Sequence, residues 1–205
     1  MPNNMIFYTN PMSRGRIVRW MLEEIGAPYE TEILEYGGSM KGEDYLAINP
    51  MGKVPALKHE ENIITETPAI IAYLADAFPE AGLGPKMNER ADYYRWMFFA
   101  AGPVEAAMAN HMLGVEVPED KRGTVGYGSK EQMLDVLAAA VSRNDYITGD
   151  HFTAADIYVG SEIGFGLQFG TIEARPEFTD YYGRLQSRDA LQRALVMDND
   201  LMAGK

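Results

Sequence analysis

The sequence predicts an α/β domain over residues 1–80 and an all-helical domain over residues 89–205, joined by a linker over residues 81–88. Strand-like and helix-like apolar patterns alternate in the first region, and no strand-like pattern follows in the second. The stretch between them is rich in proline and glycine, which is typical of a linker. A chain of 205 residues is long enough for two small domains.

Composition narrows the possible functions. The chain has no cysteine, which excludes a disulfide, a thiolate metal site and a redox-active protein thiol. His59, His111 and His151 lack the spacing of metal ligands, so we expect no metal. The formal net charge of −12 repels phosphate, so we expect no nucleic-acid partner. No apolar run is long enough to span a membrane, and Met1 to Asn4 lacks signal-peptide features, so we expect no membrane association and a cytoplasmic location.

The α/β domain is predicted to begin with a strand, a turn and a helix. Met5 to Thr9 is rich in β-prone side chains and is followed by the turn signal Asn10-Pro11. Apolar residues then recur at helical spacing from Ile17 to Ile25, and Gly26 is a helix stop. The first strand should therefore lead through a tight turn into the first helix.

Three more strands and a second helix complete the predicted α/β domain. Tyr29 to Leu34 is a strand candidate, and the short apolar runs Val54 to Leu57 and Asn62 to Thr65 indicate a hairpin. Thr67 as the N-cap and Pro68 as the first helical residue predict the start of the next helix.

The second domain is predicted from helix starts and one interruption. Residues 89–101 form an aromatic-rich helical segment that Gly102 and Pro103 should kink or interrupt. Pairs typical of capping boxes mark two later helix starts: Ser129 with Gln132, and Thr153 with Asp156.

Four motifs resemble those of the cytosolic glutathione S-transferase family. They run from Tyr8 to Glu24, from Asn49 to Leu57, from Glu66 to Ile70 and from Thr153 to Ile157, so the resemblance covers nearly the whole chain. It implies a thioredoxin-like first domain, an all-helical second domain and a homodimer. It also implies glutathione as co-substrate, conjugated to a small apolar electrophile.

Three residues near the first turn are candidates for activating the glutathione thiol. A free thiol has a pKa near about 8.5 and is mostly protonated at neutral pH. Ser13 is preferred, because a hydroxyl at a helix start can accept from a backbone N–H and donate to sulfur, although an ordinary helix cap explains it as well. Tyr8 competes as a second hydroxyl or is simply a core residue, and Asn10 would orient the thiol as a polar group.

The resemblance also implies residues that bind glutathione. Val54-Pro55 corresponds to the family's cis-proline, and the Val54 backbone would pair with the cysteinyl unit like an added strand. Glu66 suits the ligand amine, and Thr67, at a helix N-terminus, suits the neighbouring carboxylate.

The sequence leaves open the role of two lysines and the type of reaction. Lys53 and Lys41 are candidates for the glycyl carboxylate, and each is also an ordinary surface lysine. Thirteen methionines suit adaptable apolar surfaces. Glutathione-dependent reduction of disulfides or peroxides, isomerisation, and ligand binding without turnover are alternatives to conjugation.

Overall fold

The computed structural model describes residues 4–204, which form two compact units. The first unit contains the chain up to Gly82 together with the segment from Arg188 onward. The second unit runs from Leu83 to Ser187. Residues 1–3 lie outside the described part, so the expectation about a signal peptide stays a prediction. Within residues 4–204, no helix is both long enough and apolar enough to cross a membrane.

The first unit is built on a four-stranded sheet in the order β2-β1-β3-β4. The strands are β1 (Met5–Thr9), β2 (Glu30–Ile33), β3 (Ala56–His59) and β4 (Asn62–Thr65). β1 runs parallel to β2 and antiparallel to β3, and β3 runs antiparallel to β4. This mixed sheet with its helices is the thioredoxin-like arrangement that the resemblance implies, and the predicted fold class is confirmed.

The α-helices of the described residues follow in chain order. They are α1 (Gly15–Ile25), α2 (Glu43–Leu46), α3 (Thr67–Ala77), α4 (Arg90–Phe99), α5 (Glu105–Met112), α6 (Lys130–Val141), α7 (Ala154–Phe169), α8 (Pro176–Gln186) and α9 (Asp189–Met202). The short helix α2 carries no clear sequence signal and was not predicted.

Helices α1 and α3 pack on each other and on the strands β1 and β3. The apolar residues of α1 from Ile17 to Leu22 are buried together with Arg19, and Gly26 ends the helix in the left-handed conformation with φ 65°. The predicted start of α3 is one residue too late. Thr67 is already helical, and Glu66 occupies the cap position, so Pro68 is the second residue of the helix.

The C-terminal helix α9 belongs to the first unit, whereas the sequence placed it with the helical domain. Arg19 of α1 and Asp198 of α9 form an ion pair, with Nε and Oδ1 2.7 Å apart and both side chains 1% exposed. Separating a buried pair leaves an uncompensated charge and costs about 3–5 kcal/mol, so this contact holds α9 on α1. Glu23 of α1 also pairs with Arg193 of α9 at 3.0 Å, and Glu24 pairs with Arg188, the residue just before α9, at 2.6 Å.

The second unit is helical throughout its regular structure. At the predicted interruption the chain does not leave the helix. Instead, Ala100–Val104 forms a π-helical segment that joins α4 to α5. Pro103 lacks the N–H that an α-helix needs, and the wider π turn accommodates it.

The predicted capping pair at the start of α7 is confirmed and is fully buried. Oδ2 of Asp156 accepts hydrogen bonds from the Thr153 N–H at 2.8 Å and the Thr153 hydroxyl at 3.0 Å. Oδ1 accepts from the Ile147 N–H at 2.7 Å and the Tyr181 hydroxyl at 2.8 Å. Burial raises the pKa of Asp156, and these four bonds oppose that rise. One carboxylate therefore joins the loop before α7, α7 itself and α8.

Replacing Asp156→Ala should lower the free energy of unfolding by about 3–5 kcal/mol, because several buried donors lose their acceptor at about 1–3 kcal/mol each. Urea denaturation measures the change. Asp135→Ala is the control, because Asp135 is exposed and pairs with Arg175 at the surface, and we expect less than about 1 kcal/mol. An Asp156 variant as stable as the control would contradict this role.

Candidate functional site

Three segments of the first unit meet at one edge of the sheet. Strand β1 ends at Thr9, β4 ends at Thr65, and β3 begins at Ala56. Ala56 is paired with Tyr8 of β1 on one side and with Thr65 of β4 on the other. The turn after β1 (residues 10–14), the segment before β3 and the start of α3 therefore lie side by side.

The buried side chain of Asn10 shapes the turn after β1. Its Nδ2 donates to the Leu34 carbonyl at 2.8 Å, just past the end of β2, and its Oδ1 accepts from the Met12 N–H at 2.9 Å. Both ends of the amide therefore have backbone partners. Asn10 fixes the conformation of the turn and ties it to the neighbouring strand.

The Ser13 hydroxyl lies in the same turn, immediately before α1, and is partly buried. Its Oγ accepts from the Gly15 N–H at 2.9 Å and donates to the Asn10 carbonyl at 2.7 Å. Arg14, and not Ser13, occupies the N-cap position of α1. The Asn10 carbonyl also accepts from the Ser13 N–H at 3.0 Å, so it keeps a donor when the hydroxyl turns away. The hydroxyl proton can therefore be redirected to a ligand at low cost.

The first residue of α1 has to be glycine. A Cβ added at Gly15 would lie 1.9 Å from Oγ1 of Thr9 and 2.9 Å from Oγ of Ser13. The absence of a side chain lets the start of α1 approach the end of β1 closely. Gly15 was not predicted from the sequence, although a glycine two residues after a candidate site residue was a usable signal.

Tyr8 lies on the sheet face that packs against a hydrophobic cluster with Met40, Tyr45 and Ala56. The ring centroids of Tyr8 and Tyr45 are 5.6 Å apart. Burial, and to a lesser extent the charge of Glu32, raises the pKa of Tyr8. The phenol is therefore neutral at physiological pH and forms part of the core beneath the site.

The segment before β3 contains a cis peptide bond between Val54 and Pro55, as the resemblance implies. Two side chains fix the backbone just before this bond. The Tyr45 hydroxyl donates to the Lys53 carbonyl at 2.6 Å, and Nδ2 of Asn49 donates to the same oxygen at 2.8 Å. Burial raises the pKa of Tyr45 to about 12, so its hydroxyl keeps the proton that it donates. Sequence reasoning missed this role of Tyr45, which depends on the fold.

The two candidate lysines differ in their contacts. Nζ of Lys41 donates to the Gly52 carbonyl at 2.7 Å and to the Met51 carbonyl at 3.3 Å, so Lys41 stabilises the loop before β3. An ammonium group has three N–H donors, which leaves one for a ligand. Lys53 is exposed next to the cis peptide.

The start of α3 combines a strained residue, a carboxylate and a helix N-terminus. Glu66 has φ 66°, a conformation that costs a non-glycine residue about 1–3 kcal/mol and is typical of functional sites. Its side chain is exposed, and Thr67 next to it is buried. The N–H groups and dipole of the first helical turn attract anions. Together they suit a ligand end that carries one amine and one carboxylate.

The register of the sheet thus brings nearly all the predicted site residues to one edge. Lys41 is connected to this edge by its hydrogen bonds to the loop before β3. Within residues 4–204, no group of three or more histidine, aspartate and glutamate side chains is arranged to hold a metal ion.

Residues 12–77 match the family model of the glutathione S-transferase N-terminal domain. The chain is 30% identical to glutathione S-transferase F10 of Arabidopsis thaliana over 190 residues, which are 82% of this chain and 86% of that protein. A solved glutathione transferase from Methylococcus capsulatus has a TM-score of 0.79 and 28% identity, covering 95% of this chain and 98% of that one. A glutathione transferase homologue from Sulfitobacter, solved with bound glutathione, has a TM-score of 0.77 and 27% identity, covering 97% and 99%.

Replacing Gly15→Ala should lower the free energy of unfolding by about 1–3 kcal/mol, because the new methyl group overlaps the Thr9 and Ser13 side chains. Gly183→Ala in α8 is the matched control. A Cβ there meets nothing within 4 Å. In a helix, this change should be neutral or stabilising by up to about 1 kcal/mol. Urea denaturation compares the two, and equal midpoints would show that α1 does not need a glycine at its start.

Proposed function

This chain belongs to the glutathione S-transferase family, and from that premise we propose that it activates the glutathione thiol and conjugates it to small apolar electrophiles. The observation that carries the proposal is the meeting of Ser13, the Val54-Pro55 peptide and the start of α3 at one edge of the sheet. A structural relative that covers nearly the whole chain was solved with glutathione bound, which supports the choice of co-substrate.

In the proposed complex, glutathione lies along this edge in an extended conformation. Its γ-glutamyl end meets the start of α3, where the Glu66 carboxylate binds the amine and the Thr67 N–H and hydroxyl bind the carboxylate. The cysteinyl unit pairs with the backbone of Val54 as an added strand would. The glycyl carboxylate meets the ammonium group of Lys53, with the remaining donor of Lys41 as a second contact.

Ser13 is the proposed group that activates the thiol. Lowering the thiol pKa by about two units requires about 2.7 kcal/mol in favour of the thiolate. A hydrogen bond to a charged acceptor contributes about 1.5–3 kcal/mol, and a helix N-terminus about 0.3–1 kcal/mol, so the two together suffice. Tyr8 suits the role less well because burial raises its pKa, and the amide of Asn10 is already bonded at both ends.

The reaction follows from the bound thiolate. The thiol proton passes to solvent, and the sulfur lone pair forms a bond to the electrophilic carbon while a leaving group departs with its bonding electrons. Met12, next to Ser13, is 70% exposed, and a flexible thioether at this place favours apolar second substrates. Conjugation makes such compounds polar and unreactive, so we propose a detoxifying role in the cytoplasm, where thiols are kept reduced.

An ultraviolet difference titration of glutathione against the protein tests thiol activation. The chain has no cysteine, so thiolate absorbance near neutral pH arises from the ligand, and the pKa of Tyr45, about 12, keeps its phenolate out of that range. We expect the thiol pKa to fall by about two units on binding. Ser13→Ala should raise it again and slow conjugation at least about tenfold, because the donor is lost.

Ser187→Ala is the control for this experiment, because Ser187 also bonds a local carbonyl but lies in the second unit. An unchanged rate for Ser13→Ala would move the role to Tyr8, to Asn10 or to the backbone at the start of α1. Saturable binding without thiolate would indicate a carrier, and no binding at all would overturn the proposal.

We also propose that two copies of the chain associate through α4. Tyr94 and Phe98 lie one turn apart on this helix, their ring centroids are 6.5 Å apart, and Phe98 is 67% exposed. Neighbouring exposed aromatic rings of this kind mark interaction surfaces.

Light scattering at micromolar protein should give twice the chain mass of 22.8 kDa. Phe98→Glu should yield a monomer, because a charge cannot be buried unpaired in an apolar interface. Phe169→Glu is the matched control, since Phe169 is 68% exposed but lies at the end of α7, and it should stay dimeric. A monomeric wild-type protein would refute the dimer.

A further inference from the structure

Arg16, in the first turn of α1, joins the turn after β1 to the C-terminal helix. Its Nη1 donates to the Pro11 carbonyl at 3.3 Å, and its Nη2 donates to Oδ1 of Asn199 at 3.0 Å. Pro11 lies between Asn10 and Ser13 in the turn. One planar guanidinium group therefore touches both the turn that carries the proposed thiol-activating hydroxyl and helix α9.

Asn199 is held in place by its neighbour in sequence. Asp198 forms the buried ion pair with Arg19, in which both side chains are 1% exposed. The contacts between α1 and α9 run in opposite directions along the two helices, so the last turns of α9 lie beside the first turns of α1. Asn199 therefore lies beside the turn after β1, where its side-chain oxygen accepts the hydrogen bond from Arg16.

We propose that Arg16 and Asn199 are positioning residues, through which α9 holds the Pro11 carbonyl and directs the Ser13 hydroxyl toward the glutathione sulfur. The inference rests on the proposed function of Ser13. The turn also has internal bonds, as between Ser13 and Asn10, bonds from the first residues of α1, and the bond from Asn10 to Leu34, just past the end of β2. The Arg16 bridge adds a bond from the turn to a helix that is far away in sequence.

The chemistry of the bridge predicts which substitutions preserve it. Both acceptors of Arg16 are neutral oxygens, so neither bond neutralises the guanidinium charge. A lysine at position 16 keeps the charge but lacks the planar fork that reaches two acceptors. A carboxylate at position 199 keeps an acceptor oxygen at the same distance along the side chain, whereas alanine removes it.

The test uses the full-length protein and the ultraviolet titration of bound glutathione, together with kcat and KM. Asn199→Ala and Arg16→Lys should raise the pKa of the bound thiol by about 0.5–1 unit. A rise of one unit lowers the ratio of thiolate to thiol tenfold. Both should lower kcat by about three- to tenfold and leave KM for glutathione within about twofold, since the loss falls on activation. Asn199→Asp should restore both values.

Arg193→Ala is the matched control, because it removes an exposed contact between the same two helices at the far end of α1. It should leave the thiol pKa and kcat at wild-type values. If Arg193→Ala impairs both as much as Asn199→Ala does, α9 acts only through general stability and the inference is wrong. Wild-type values in Asn199→Ala and Arg16→Lys would also overturn it.

Amide hydrogen exchange without glutathione separates this inference from the proposed function. Asn199→Ala should speed exchange at Met12 and Ser13, and unchanged exchange would refute the bridge whatever the ligand does. A wild-type protein that forms no thiolate would refute the proposed function and, with it, the catalytic meaning of the bridge.

Discussion

The antiparallel pairing of β3 with two neighbours is the constraint on which the site depends. Ala56 lies between Tyr8 and Thr65, so the residues that precede β3 are flanked by those that follow β1 and β4. A slip of one residue in either pairing would turn the side chains of a strand to the opposite face of the sheet. The register therefore places the hydroxyl of Ser13 and the carboxylate of Glu66 on either side of the cis peptide.

Two kinds of polar side chain build this edge. Asn10, Tyr45 and Asn49 are buried and give their hydrogen bonds to backbone carbonyls, because a buried polar group without a partner is costly. Glu66 and Lys53 are exposed, and in the proposed complex their charges bind the ligand. The buried side chains hold the backbone in one conformation, so the exposed charges are already positioned before a ligand binds.

Local signals predicted much of this structure, and contacts between distant residues account for the rest. The strand from Met5 to Thr9, the stop at Gly26 and the capping pair before α7 each depend on a few neighbouring residues, and all were found. The bonds of Asn10 to Leu34 and of Arg19 to Asp198 span 24 and 179 positions. No periodicity encodes such pairs, so the shaping role of Asn10 and the attachment of α9 to the first unit were missed.

The surroundings of the two hydroxyls near the turn favour Ser13 over Tyr8 for the proposed role. Tyr8 is packed among apolar side chains, and turning it toward a ligand would disturb the cluster that supports the sheet. Ser13 needs only a rotation of its hydroxyl, because its oxygen keeps the Gly15 N–H and the Asn10 carbonyl keeps the Ser13 N–H. The same N–H groups at the start of α1 carry the positive end of the helix dipole. In the proposed mechanism, thiol activation is therefore shared between the Ser13 hydroxyl and the backbone N–H groups at the start of α1.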